Sequence, residues 1–520
     1  MMHALLRGTL GACLCCTLIA PATFAGTVAN ETTVNKASIS PKEYLGPRPE
    51  IPLDTNIAIQ ETPAKAESTL LDVVLRWNGI AIDASGLDHT PVQPGEDRVF
   101  GEAVGPGRSS RAMAIVHIAM FDALAAIHGG YKTYTGLPRI GNSTTISAEA
   151  AVAQAVHDTL IAMFPSQQAS FAHELQVSMD QIPIGPSRTL GRMVGANAAK
   201  KILEARSHDG SDYAEPRMGK EYTPSDQPGY WRADPISGSE VALGAKWGYV
   251  QPFVLATSTQ FRAPPPPPMN SDEYAAAYDE VKRLGGDGII TPTERSEEQT
   301  FIGIYWAYDG TPSLCAPPRL YNQIAKTIAA QMGSDAIQTA RLLALLNVGL
   351  ADAGIAIWES KFHYQLWRPV TGIRESDPGT GPTGAGDGNP ATIGDPTFVP
   401  LGAPASNLTG PNFTPPFPAY PSGHAGFGGA LFQILRRFYG TDNIEFTFVS
   451  DEYNGVTRDN SGAARLLHPR HFKTLSQAEE ENGQSRIYLG IHWSFDKSEG
   501  ITQGQQIADY VFDRLYRAAN

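Results

Sequence analysis

One stretch constrains this chain more than any other. From about 335 to 366 the residues are apolar on nearly every side of a helix, with Leu342, Leu343, Leu345, Leu346, Val348 and Leu350 close together. Such a helix has to run through the middle of a bundle rather than along a surface. Asn347, Gly349 and Asp352 interrupt it too strongly for a membrane span, and no other segment beyond the N-terminus reads as one. Apolar residues at three- and four-residue spacing predict further helices near 68–84, 107–129, 147–164, 166–182 and 187–206. More follow near 271–285, 293–308, 319–332 and 424–439, and from 476 to the C-terminus with a break near Gly490. Ser147 and Ser166 stand where N-caps belong. No segment alternates convincingly as a strand. The expectation is an all-α protein, two helical bundles packed together, with long ordered loops that 51 glycines and 40 prolines demand.

The first 25 residues read as a secretory signal, with Arg7 ahead of an apolar run from Leu10 to Ala20 and Thr23-Phe24-Ala25 as cleavage spacing. Export to the periplasm or the medium is therefore expected. Three of the four cysteines, Cys13, Cys15 and Cys16, fall inside that signal, leaving Cys315 with no disulfide partner. Residues 26–65 are polar and proline-rich, and Pro41, Pro47, Pro49 and Pro52 predict an extended arm. The prolines from Pro264 to Pro268 form a stiff segment and divide an N-terminal bundle, 66–262, from a C-terminal one, 263–520. A net charge of −13 argues against a nucleic-acid binder, so any anion site has to be local.

Three short motifs carry the chemistry. Lys361 and Arg368 are seven residues apart, which on one helix brings both cations to one face, and Pro369 pushes Arg368 towards extended backbone. Pro421-Ser422-Gly423-His424 sits where a proline-rich loop enters a small-residue helix, so free N–H groups and a positive dipole end face whatever lies there. Ser422 adds a hydroxyl, Gly423 lets the backbone approach closely, and His424 can shuttle protons near neutral pH. The run Ser485 to Asp496 brings Arg486, whose planar fork suits oxyanions, and places His492 four residues before Asp496. Taken singly, each has a plainer reading as a charged stripe, a capped helix start or a core histidine. Together they are eleven fixed identities at set spacing. Three cations, a helix terminus and two imidazoles in one cavity repel one another unless an anion of about two or three charges fills it.

The complete set resembles the signature of the vanadium-dependent haloperoxidases, which share their site with acid phosphatases of the phosphatidic-acid-phosphatase type. Trp306 to Gly310, Pro317 to Ile324, Asp352 to Ile355 and Pro415 to Tyr420 look like the fungal vanadium chloroperoxidases in particular. The likeness is strong over roughly 290–515 and general in character over roughly 70–290. It implies a vanadate cofactor, with no haem and no flavin. His492 is the implied axial metal ligand through Nε2, while Lys361, Arg368, Ser422, Gly423 and Arg486 hold the vanadate oxygens. His424 is the implied acid–base group, Asp309 the partner of Arg486, and Asp496 the support of His492. Trp358 and Phe417 match positions that line the halide approach, although core packing is their plainer reading. The implied reaction joins hydrogen peroxide, a halide ion (chloride or bromide) and a proton to give hypohalous acid, which halogenates a small organic acceptor. Two other readings use the same cage: a secreted acid phosphatase with His492 as nucleophile, and an oxyanion-binding protein without turnover. Halide preference, organic substrate and oligomeric state stay open.

Overall fold

A computed structural model describes residues 39–46, 69–141 and 144–519. The signal sequence and most of the 26–65 arm lie outside the described residues. The part of the arm that is described is not extended: Pro41–Leu45 is a short helix, α1. Pro41 occupies the first helical position, where its missing N–H costs nothing, and Ser40 with Glu43 closes a capping box.

The N-terminal bundle contains α2 (Leu70–Asp88), α3 (Gly105–His128), α4 (Ala148–Met163), α5 (Gln168–Asp180) and α6 (Pro186–Ala205). Ser147 caps α4, its hydroxyl accepting the Ala150 N–H at 3.1 Å. Ser166 is not a cap: a short 3-10 turn precedes α5, and the Ser166 hydroxyl donates to Glu102 at 2.7 Å instead. Further along come α7 (Asp272–Leu284), α8 (Glu297–Tyr305), α9 (Pro317–Gln331), α10 (Ala336–Tyr364), α11 (Pro369–Glu375) and α12 (Gly423–Tyr439). The chain closes with α13 (Leu475–Tyr488) and α14 (Ser494–Arg514). Between α12 and α13, two strands of three residues, Phe446–Phe448 and Arg470–Phe472, pair antiparallel. They are too short to show alternation, which is why the sequence gives no sign of them.

The central helix is α10. Asp335 caps it in a capping box with Gln338, and it packs on α3 of the first bundle and on α12 and α14 of the second. The two bundles therefore share one apolar core. Both α3 and α10 are long and apolar enough to cross a membrane by length and composition alone, where the sequence expectation admits no span beyond the N-terminus, and both are almost wholly buried inside the fold. Asp352 joins the bundles with polar contacts, its carboxylate accepting the N–H groups of Phe253, Val254 and Leu255 at 2.6, 2.8 and 2.9 Å.

The tightest approach in the second bundle is between α12 and α14. A methyl group on Gly504 would stand 2.0 Å from the Gly426 carbonyl oxygen, and one on Gly500 2.6 Å from that of Ser422. Small residues are required on this seam because backbone meets backbone. Gly504→Ala should destabilise the protein by about 1–3 kcal/mol through overpacking. Gly79→Ala, in α2 with nothing within 4 Å of the new methyl, should be neutral or stabilising by about 0.5–1 kcal/mol. Thermal unfolding of the two variants beside the parent checks the pair, and equal losses would refute the seam.

Candidate active site

The three motifs converge on one place from the ends of five helices. Lys361 comes from the last turn of α10, Arg368 from the N-cap of α11, Ser422 to His424 from the start of α12, and Arg486 from the last turn of α13. His492 lies in the link to α14, and Asp496 in the first turn of α14. Asp309 follows α8. Lys361 and Arg368 do not share a helix face: α10 stops at Tyr364, with Gln365 in left-handed backbone at φ 53°. Arg368 is extended, at φ −81° and ψ 157°, as the following proline requires. The two cations meet because the chain turns between them.

Backbone carbonyls hold two of the three cations. The Lys361 ammonium donates to the carbonyls of Pro418 and Ala419, both at 2.8 Å. Arg368 donates to the carbonyls of Phe417 at 2.9 Å, Ile491 at 2.8 Å and, more weakly, Pro415 at 3.4 Å. Burial, with Arg368 beside it, holds Lys361 well below the usual lysine range. Burial also pushes Arg368 down to about 9.

The same Arg368 guanidinium lies 2.9 Å from Nε2 of His492. A guanidinium only donates, so Nε2 is the acceptor and the ring proton sits on Nδ1. That proton is donated to Asp496 Oδ2 at 2.8 Å, an oxygen that also accepts the Trp493 N–H at 3.0 Å. Burial first, then Arg368, Lys361 and Arg486, keep the imidazole neutral by lowering its pKa well below the ordinary value. Burial raises the Asp496 carboxyl to about 7, against the pull of Lys361.

The other side of the cage is unsatisfied. Arg486 donates to Asp309 Oδ1 at 2.6 Å, but among the described residues its Nε and second terminal nitrogen have no partner, and neither does Asp309 Oδ2. Both ring nitrogens of His424 are buried without a well-formed hydrogen bond, although Asn482 and the Trp306 backbone lie near enough to favour its proton weakly. Burial and the Arg486 charge depress the His424 pKa well below the imidazole norm. These groups open on a small cavity, whose apolar side includes Trp358, Phe417, Phe427 and Leu243. The Trp358 and Phe417 rings meet edge-on at 4.9 Å, and the Lys361 ammonium lies 5.7 and 5.2 Å from them. Both rings line the cavity and are also packed, Trp358 donating to the Leu243 carbonyl at 3.1 Å. A side chain on Gly423 would meet the Trp358 ring at 3.0 Å, so glycine keeps the helix start clear.

Residues 341–520 match the family model of the VCPO second helical-bundle domain. Over 504 aligned residues the chain is 32% identical to vanadium chloroperoxidase of Curvularia inaequalis, covering 81% of this chain and 78% of that one. The chain belongs to the vanadium-dependent haloperoxidase family. A bacterial vanadium-dependent iodoperoxidase superposes with a TM-score of 0.66 at 25% identity, over 86% of this chain and 97% of that one. An apo-type bacterial vanadium-dependent chloroperoxidase has the same fold, with a TM-score of 0.58 at 18% identity over 79% and 94% of the two chains.

Vanadium dependence makes vanadate the group to test against this haloperoxidase-family site, and the donors fit it. The orphaned Arg486 and His424 nitrogens, the first-turn N–H groups of α12 and the lone pair on His492 Nε2, which accepts from Arg368 in this structure, match a tetrahedral oxyanion with a metal at its centre. Ser485, the motif's first residue, does not face it: its hydroxyl donates to the Asn482 carbonyl at 2.7 Å. Sequence reasoning missed the Pro415 to Ala419 carbonyls, because carbonyl direction leaves no mark on residue identity. It also missed Tyr44 and Leu45 of α1, which line the cavity. The Ser40 to Glu43 spacing is a readable helix-start signal, although nothing in it points to the site.

An anion in the cage favours the protonated forms of His424, Lys361 and Asp496 alike, so its binding takes up protons. Sulfate, whose charge is constant across the range, should raise the melting temperature, and by more at about pH 6 than at about pH 8. Equal increments in scanning calorimetry would mean that these groups do not face the anion.

Proposed function

We propose that this chain is a vanadate-dependent haloperoxidase that uses hydrogen peroxide to oxidise chloride or bromide to hypohalous acid, which then halogenates a small organic acceptor. The observation that carries the reading is His492: neutral, with its proton committed to Asp496 and its Nε2 lone pair directed at the cationic cage. A neutral imidazole with a carboxylate behind it is the arrangement metal-ligating histidines use.

His492 would hold the metal. Lys361, Arg368, Arg486, the Ser422 hydroxyl and the Gly423 N–H would hold the oxygens. When bound, vanadate would supply a Lewis-acidic centre able to make a peroxide oxygen electrophilic towards halide. The rest falls to the side chains. Two of the three Lys361 donors are spent on carbonyls, which leaves one for the anion. Arg486 retains three unspent N–H groups on Nε and one terminal nitrogen. His424, neutral because burial and Arg486 depress its pKa, takes a proton from peroxide at a ring nitrogen and returns it to the departing hypohalite oxygen. Trp358 and Phe417 exclude water from the halide's side, which strengthens every charge interaction in the cage. The signal-like first 25 residues support export as part of the same proposal.

The test is dialysis against vanadate followed by halogenation of a phenolic dye with peroxide and each halide in turn, beside hydrolysis of a phosphate monoester. The expected result is vanadate-dependent halogenation. His492→Ala should abolish it in a folded protein, and His424→Ala should lower kcat by about 10²–10⁴-fold with vanadate still bound. Monoester hydrolysis without halogenation would establish the phosphatase reading instead. N-terminal sequencing of protein recovered outside the cytoplasm tests export.

A further inference from the structure

The wall of the cavity formed by α1 contains chemistry that the cage does not use. α1 is fixed in place from behind. The Ser239 hydroxyl donates to the carbonyls of Glu43 and Tyr44 at 3.1 and 3.3 Å, the Glu240 N–H donates to the Glu43 carbonyl at 3.2 Å, and Glu43 pairs with Arg217 at 3.1 Å. This presents Tyr44 to the cavity, its ring 6.3 Å from His89 and 6.2 Å from Phe100. The phenol oxygen lies over Gly310: a methyl group there would be 2.1 Å from it. It therefore sits beside Asp309, the preceding residue, which is also among the charges acting on it.

Two polar groups without a partner among the described residues line this part of the cavity. The Tyr44 hydroxyl makes no hydrogen bond among the described residues, and Asp309 Oδ2 makes none. Both groups are more than nine-tenths buried, Tyr44 being 7% and the Asp309 side chain 8% exposed. A buried carboxylate oxygen with no partner favours a ligand that can donate to it, and a ligand that also accepts from the phenol is favoured over one that does not. A halide is the wrong ligand, because the Asp309 carboxylate repels it. A small neutral molecule that donates through one O–H and accepts on the neighbouring oxygen is the right one. Hydrogen peroxide is the substrate of that description.

We propose that Tyr44 and the free oxygen of Asp309 form a peroxide-binding subsite beside the anion cage, peroxide donating to Asp309 Oδ2 and accepting from the Tyr44 hydroxyl. This rests on the haloperoxidase reading. It assigns peroxide and halide to different walls: peroxide to α1 and Asp309, halide to Trp358 and Phe417. Tyr44 is then a binding residue contributed by a segment far from the three motifs in sequence.

Tyr44→Phe keeps the ring packed and removes one hydroxyl. In the vanadate-loaded enzyme it should raise KM for peroxide about three- to tenfold, the worth of one hydrogen bond, and leave the halide KM and vanadate affinity unchanged. A high-resolution crystal structure of the vanadate-free protein should show a solvent molecule bridging the Tyr44 hydroxyl and Asp309 Oδ2, absent from Tyr44→Phe. An unchanged peroxide KM, an equal rise in the halide KM, or no bridging solvent in the parent protein would overturn the subsite while leaving the enzyme a haloperoxidase. A parent protein with no vanadate-dependent turnover overturns the haloperoxidase reading and the choice of peroxide with it, an outcome the parent assay alone identifies.

Discussion

The site depends on the contact between α12 and α14. Where Gly504 passes Gly426, and Gly500 passes Ser422, there is no room for even a methyl group. That closeness lets the Ser422 N–H donate to the Asp496 carbonyl at 2.9 Å, which locks the start of one helix to the start of the other. Ser422, Gly423 and His424 come from the first helix start, His492 and Asp496 from around the second. Their separation is therefore set by backbone against backbone, with no flexible side chain in between. α10 fixes the third corner, since Ile357 fills the space that a side chain on Gly426 would need.

Burying three cations together is costly, and an anion need not meet the whole of that cost. The structure divides it. Five carbonyls, four of them from Pro415 to Ala419 and one from Ile491, solvate Lys361 and Arg368. Three prolines in that loop, Pro415, Pro416 and Pro418, have no N–H of their own, so the strand presents acceptors without matching donors. What remains unmet is concentrated on Arg486 and His424. Demand for an anion is thus directional, greatest on the side that faces Asp309 and α1.

Much of this was legible in the sequence, for reasons that can be named. The apolar periodicity of 107–129 and 147–164 gave α3 and α4 nearly to the residue, because long amphipathic or wholly apolar runs leave few alternatives. The identity of the site was legible because its chemistry requires fixed residue types: a donor at Ser422, no side chain at Gly423, an imidazole with a carboxylate four residues on. What was not legible were the places where the backbone decides. Gln365 in left-handed backbone ends α10 early, so Lys361 and Arg368 converge by a route that helical spacing misdescribes. Pro41, which in sequence reads as part of an extended arm, is a helix starter because of where it falls. The strand pair after α12 rests on contacts between segments more than twenty residues apart.

The directionality of the cage also explains why a wall built from α1 matters to chemistry that α10 to α14 could otherwise house by themselves. On the carbonyl-lined side, every donor of Lys361 but one is already spent, and an incoming neutral molecule finds no acceptor it could use without breaking a cation's solvation. On the Arg486 side, Asp309 holds one oxygen on the guanidinium and leaves the other free. A carboxylate that were fully engaged would orient Arg486 equally well, and burial already raises the pKa of this one. Keeping Oδ2 unpartnered in an apolar setting is a cost without structural return, and the Tyr44 hydroxyl lines the same cavity with no partner among the described residues. Both become economical only if something small, protic and transient occupies the space between them, which ties the N-terminal segment to the reaction through hydrogen bonding and not through charge.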